Sequence, residues 1–214
     1  ARTKHRPLAK GAMPVRNAII FAIVLLIAGT ATLYLFTHLL ATLIALAGFF
    51  FYVAVYSIWK HRTVYGTAIG SIAGAVPPVV GYTAVSNRLD LAALLLFIIV
   101  ALWQMPHFFA IAMYRFDEYA SASIPVLPVA RGMYVTKVRM LFYVIAFTVA
   151  AMMLMVFGYV GYAYLAGAIL MGSGWLWLCV QGFKSTNDKV WGKQMFLYSL
   201  VVILVLCTML SVDS

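Results

Sequence analysis

Long apolar runs alternate with short polar breaks along the whole chain. Seven runs reach the ~20 residues that cross a bilayer as a helix. They cover about residues 17–36, 39–58, 64–85, 91–113, 140–158, 162–183 and 194–212. None alternates with the period of two that a barrel strand shows, so strands do not compete as a reading. The pattern predicts an all-α integral membrane fold of seven transmembrane helices, in one domain over residues 1–214.

The polar breaks are of two kinds. Around residues 37–38, 86–90 and 159–161 they are short and carry one cation, Arg88. The other breaks hold Arg2, Lys4, Arg6, Lys10 and Arg16, then Lys60 and Arg62, then Arg115, Arg131, Lys137 and Arg139, then Lys184, Lys189 and Lys193. Basic loops stay in the cytoplasm. Seven spans then predict a bacterial-type inner membrane protein with a cytoplasmic N-terminus and a periplasmic C-terminus. The longest break, residues 114–139, reads as a loop, where function tends to concentrate.

Composition changes the picture in one respect. The chain has 214 residues, 65% hydrophobic and 9% charged, with a mean hydropathy of +1.02. A soluble domain carries about 25% charged residues, so lipid is the solvent. The formal charge of +10 would suggest nucleic acid in a soluble protein. Here topology, attraction to anionic lipid and an anionic ligand account for it, and no nucleic-acid partner is expected. Cys179 and Cys207 lie in apolar runs without ligand spacing and read as small buried residues.

Gly66, Gly70 and Gly74 recur every four residues, on one helical face that admits a close neighbour. Pro77-Pro78 and Pro106 remove backbone donors and predict bends or breaks in two spans, which fit ordinary membrane-helix packing first and, as the sharper reading, a cavity between helices.

Chemistry has few carriers. Gln104 and His107 are polar groups in an apolar span, and such groups need a partner or a cavity. Trp103, His107 and Tyr114 share a face that leads to Arg115, Asp117, Glu118 and Tyr119. An interfacial aromatic belt with a snorkelling Arg115 fits the same residues. Asp117 and Glu118 are candidate Mg²⁺ ligands, since one or two carboxylates plus substrate phosphates suffice. Two adjacent carboxylates do not make a metal site unaided, and acidic residues beside basic loops are more often simple ion pairs. Of the four histidines, only His107 lies within a span, so permanent bis-histidine haem ligation is poorly supported, and transient contact of a haem substrate with one histidine stays open.

Four stretches carry a resemblance over essentially the whole chain: Arg2 to Leu8; Val64-Tyr65-Gly66-Thr67 through Pro77-Pro78; Leu102-Trp103-Gln104-Met105-Pro106-His107; and Ile124-Pro125-Val126-Leu127-Pro128-Val129. In this order they resemble the UbiA-type intramembrane prenyltransferases, in the branch that farnesylates haem. The resemblance implies the C-terminal part of a nine-helix bundle around a cavity open to lipid. It implies transfer of farnesyl from farnesyl diphosphate to a vinyl group of haem b, water adding a hydroxyl, to give haem O for terminal oxidases. It implies Mg²⁺, haem b as substrate rather than resident cofactor, and a haem A synthase or a terminal oxidase assembly as possible partner. Arg2, Arg6, Lys60 and Arg62 are then diphosphate contacts. Arg115, Tyr119, Gln104 and Trp103 are further substrate contacts. Asp117 is the first metal candidate and Glu118 the second; with Asp117, His107 and Tyr114 form the catalytic set.

The family's first acidic motif and two helices are expected before Arg2 and do not occur in the sequence. The domain therefore reads as N-terminally truncated, and the 214-residue chain is expected to have little activity alone. A polytopic transporter, a prenyltransferase acting on a quinone precursor and a haem-carrying assembly subunit are the competing functions.

Overall fold

The computed structural model describes residues 7–59, 63 and 66–213. All regular structure among them is helical. Helix α1 is Val15–Phe36, and α2 is Leu39–Trp59. The third span is two helices, α3 (Gly66–Gly74) and α4 (Val76–Ser86). Helix α5 is Leu91–Tyr114 and α6 is a short Phe116–Ser121. Helices α7 (Leu127–Val156), α8 (Tyr162–Gly182) and α9 (Asp188–Val212) complete the order. Seven segments among the described residues are long and apolar enough to cross a membrane, as the hydropathy pattern predicts.

Helix α5 is the hub. It packs on α7 and α9 on one side and on α3 and α4 on the other. Helix α8 closes the first group against α7 and α9, and α2 lies on α4. The dry core belongs to the first group, where Trp175, Tyr164, Phe147, Met113, Met140 and Met195 are fully buried. Helix α1 buries no residue and packs chiefly on α2.

The third span breaks at Ala75, just before Pro77 and Pro78. Neither proline can donate the backbone bond that the carbonyls of Ala73 and Gly74 would otherwise accept. Pro106 behaves differently: of the bend or break expected there, the break does not occur, and α5 runs through it as one helix. Tertiary packing overrides the local cost there, because Pro106 is fully buried in the hub.

The expected long loop after Tyr114 is largely helix. It contains α6, and α7 starts 13 residues before the predicted span. Pro128 sits in the first turn of α7, where its missing N–H costs nothing. Gly132 then interrupts the helix with φ 84° and ψ 169°, a conformation open essentially to glycine alone. At the opposite end of the bundle, Asp90 caps α5 by accepting from the Ala93 N–H at 3.2 Å. Cys179 is buried as expected, whereas Cys207 is exposed on the outer surface of α9.

Asp90 also accepts a hydrogen bond from the Tyr82 hydroxyl at 2.8 Å, and that bond is the main cause holding its carboxyl below the usual range. A depressed folded pKa contributes stability above the unfolded value, lost as pH falls through the folded one. Acid titration of thermal stability in detergent should therefore show a step that Tyr82→Phe shifts to higher pH. An unshifted step would remove this bond from the account.

Candidate active site: an apolar cavity between helices

The cavity lies between α2, α3, α4 and α5, and the turn after α6 closes one end. Its volume is about 890 Å³. Apolar residues such as Phe49, Val76, Val80, Phe108 and Ile124 form most of the wall. Tyr52, Tyr56, Thr63, Thr67, Gln104 and Tyr119 supply the polar atoms, and none of the lining residues described is charged.

The glycine stripe explains how the wall is built. Gly70 makes room for the Tyr56 ring: a Cβ there would sit 2.9 Å from Cε2. A Cβ at Gly74 would fall on the Gln104 amide. The close approach predicted for this face is thus an approach of side chains that line the cavity. Gln104 is 5% exposed and makes no side-chain hydrogen bond to a described residue. It faces the cavity about ten residues, or ~15 Å, from the α6 end of α5.

Trp103 and His107 share a face, as their spacing predicts, with rings stacked at 4.7 Å. That face meets α9 instead of the cavity. The Trp103 indole N–H donates to the Ser199 carbonyl at 2.8 Å. The Ser199 hydroxyl donates to the Phe196 carbonyl at 2.6 Å, so it accepts from His107 Nδ1–H at 2.7 Å.

At the α6 end, charges pair off. Asp117 accepts from Lys189 Nζ at 2.5 Å, with both side chains well exposed. Glu118 lies 3.7 Å from Arg115, and the Arg115 guanidinium stands 5.9 Å over the Tyr114 ring. Lys193 stands over the same ring at 5.9 Å. Lys137 reaches Asp188 at 2.5 Å and stands 5.5 Å over Trp191.

Of the residues singled out in the sequence, Gln104 and Tyr119 line the cavity. Trp103, His107, Tyr114, Arg115, Asp117 and Glu118 do not. Arg2, Arg6, Lys60 and Arg62 lie outside the described residues. The sequence reading passed over Tyr52 and Tyr56. Their signal was two tyrosines four apart in one span, facing glycines four apart in the next.

Among the described residues, no three His, Cys, Asp or Glu side chains converge as a metal site. One or two carboxylates can hold Mg²⁺ where phosphate oxygens complete its shell.

A seven-span bundle with an apolar cavity and ion pairs near one end is the architecture of a polytopic membrane protein with room for an apolar ligand. The chain belongs to the UbiA prenyltransferase family, which it matches over residues 1–201. It is 51% identical to protoheme IX farnesyltransferase of Protochlamydia amoebophila, over 99% of this chain and 75% of that one. It is 48% identical to protoheme IX farnesyltransferase 2 of Pseudomonas fluorescens and to protoheme IX farnesyltransferase of Yersinia pseudotuberculosis, over 99% of this chain and 72% of each. A solved structure of digeranylgeranylglyceryl phosphate synthase has the same fold, with a TM-score of 0.80 at 18% identity, over 99% of this chain and 74% of that one.

Proposed function

We propose that the chain is the membrane-embedded part of a prenyltransferase that joins farnesyl from farnesyl diphosphate to a vinyl group of haem b. One observation carries the reading: about half the residues are identical to protoheme IX farnesyltransferases along 99% of the chain. The cavity supports it. An apolar wall suits an isoprenoid tail and a haem edge, and the polar rim suits a diphosphate.

In this mechanism the diphosphate lies at the α6 end. Thr63 lines the cavity there, and Lys60 and Arg62 directly precede it in sequence. With Arg2, Arg6 and Arg115 they neutralise the leaving group. Glu118 is the favoured metal ligand, because Asp117 already serves Lys189. A bound Mg²⁺ would screen the negative charge that builds on the diphosphate. The apolar wall excludes water from the allylic cation until the vinyl group attacks. Gln104 supplies the polar contact for the acceptor, with its helix braced from behind by the Trp103–His107–Ser199 cluster. Tyr119 hydrogen-bonds a phosphate or propionate.

Residues 1–214 act as one transmembrane domain in this reading. The basic end faces the cytoplasm and Asp213 the periplasm of a bacterial inner membrane. Haem O is then handed to a haem A synthase or to terminal oxidase assembly.

The test incubates the purified protein with haem b, farnesyl diphosphate and Mg²⁺, and weighs the haem by mass spectrometry. Haem O is the expected product, in low yield from the 214-residue chain alone, and a quinone precursor should not compete. Transport of haem with no change in its mass would reject the transferase reading.

A further inference from the structure

We propose that the Tyr52 and Tyr56 rings are catalytic residues that stabilise the allylic cation of the donor. The proposal rests on the prenyl-transfer reading above.

The pair is a built feature. Helix α2 leaves α geometry between Phe51 and Tyr56 for a π-helical turn, and the Ser57 N–H donates five residues back to the Tyr52 carbonyl. Such turns are rare and gather at functional sites. Here the turn holds Tyr52 and Tyr56 together on the cavity wall, with ring centroids 5.2 Å apart and planes at 22°. Gly70 on α3 leaves the space that the Tyr56 ring fills.

Their level in the cavity is the one the chemistry needs. Tyr56 lies one turn from the end of α2, on the side where Thr63 and Tyr119 line the cavity. The reacting carbon is bonded to the diphosphate, so it cannot lie far from that end. Ionisation breaks the C1–O bond, and its electron pair leaves on the diphosphate oxygen. One positive charge spreads over the allyl carbons. The vinyl π pair of the acceptor then forms the new C–C bond to C1. Charge moves to the inner vinyl carbon, where water adds through oxygen and releases a proton to solvent.

No charged side chain lines the cavity among the described residues. The cation therefore needs a neutral, electron-rich neighbour that will not trap it covalently, and an aromatic face meets that need. A carboxylate would be captured as an ester.

The test compares two probes in equilibrium binding. One is a farnesyl diphosphate analogue with an ammonium nitrogen at the allylic cation. The other is a neutral analogue with sulfur in place of the bridging oxygen. The Tyr52→Phe/Tyr56→Phe protein keeps both rings and should keep the wild-type preference for the cationic probe within about twofold. The Tyr52→Leu/Tyr56→Leu protein should lose about a hundredfold of that preference, roughly tenfold per ring, with the neutral probe still bound. If the double Leu protein binds neither probe, the single Leu variants should each lose about tenfold. Preference retained without the rings, or lost with the hydroxyls alone, overturns the proposal. A wild-type protein that binds neither probe overturns instead the donor reading beneath it.

Discussion

Glu118→Gln should lower prenyl transfer by about a hundredfold, while Asp117→Asn should change it by less than about threefold. The two carboxylates are adjacent in sequence, yet the six-residue α6 gives them different faces. Successive helical residues turn by about 100°. Tyr119 lines the cavity, so Glu118 stands about 100° and Asp117 about 200° from that direction. Asp117 is also taken up: its carboxylate meets Lys189 at 2.5 Å, against the looser 3.7 Å between Glu118 and Arg115. A nearby cation competes with a metal for a carboxylate's charge, and Glu118 is the more loosely paired of the two. Steady-state turnover measures the first effect. Mn²⁺ affinity in the presence of diphosphate, read by electron paramagnetic resonance, measures the second independently of chemistry. The reverse pattern, with Asp117→Asn inactive and Glu118→Gln near wild type, would move the ligand role to Asp117.

The difference between these carboxylates marks where sequence reading stops. Span number and order were legible, because twenty apolar residues have one solution in lipid, the helix. The start of α7 was hidden, because Arg131, Lys137 and Arg139 break the apolar run. Structure pairs the buried Lys137 with Asp188 on α9, a contact 51 positions away that no local window contains. The Trp103–His107 face was legible as a face. Which helix it would meet was not, and it met Ser199. The π-helical turn had no signal, since Phe51-Tyr52-Val53-Ala54-Val55-Tyr56 reads as an ordinary apolar helix. The cavity itself was half legible. Pro77-Pro78 announced the broken span, but only the packing of Gly70 and Gly74 shows which side chains the break admits.

Asp188→Ala should destabilise the protein by about 3 kcal/mol, whereas Lys189→Ala should cost less than about 1 kcal/mol. Asp188 and Lys189 are neighbours in the first turn of α9, and each makes an ion pair at 2.5 Å. Distance therefore does not separate them; burial does. The Lys137 side chain is 9% exposed and that of Asp188 28%, against 48% and 77% for Lys189 and Asp117. Removing Asp188 leaves the Lys137 ammonium enclosed beside the Trp191 ring. It also removes a negative charge from a helix N-terminus, where it is favourable. Removing Lys189 leaves Asp117 free to be hydrated. Replacing both buried partners, as Lys137→Met with Asp188→Leu, should recover most of the loss and end within about 1 kcal/mol of the parent. Unfolding of the four proteins in mixed detergent micelles gives the comparison. Equal losses for Asp188→Ala and Lys189→Ala would show that water reaches Lys137 freely, and the clamp joining α7 to α9 would then be no stronger than a surface pair.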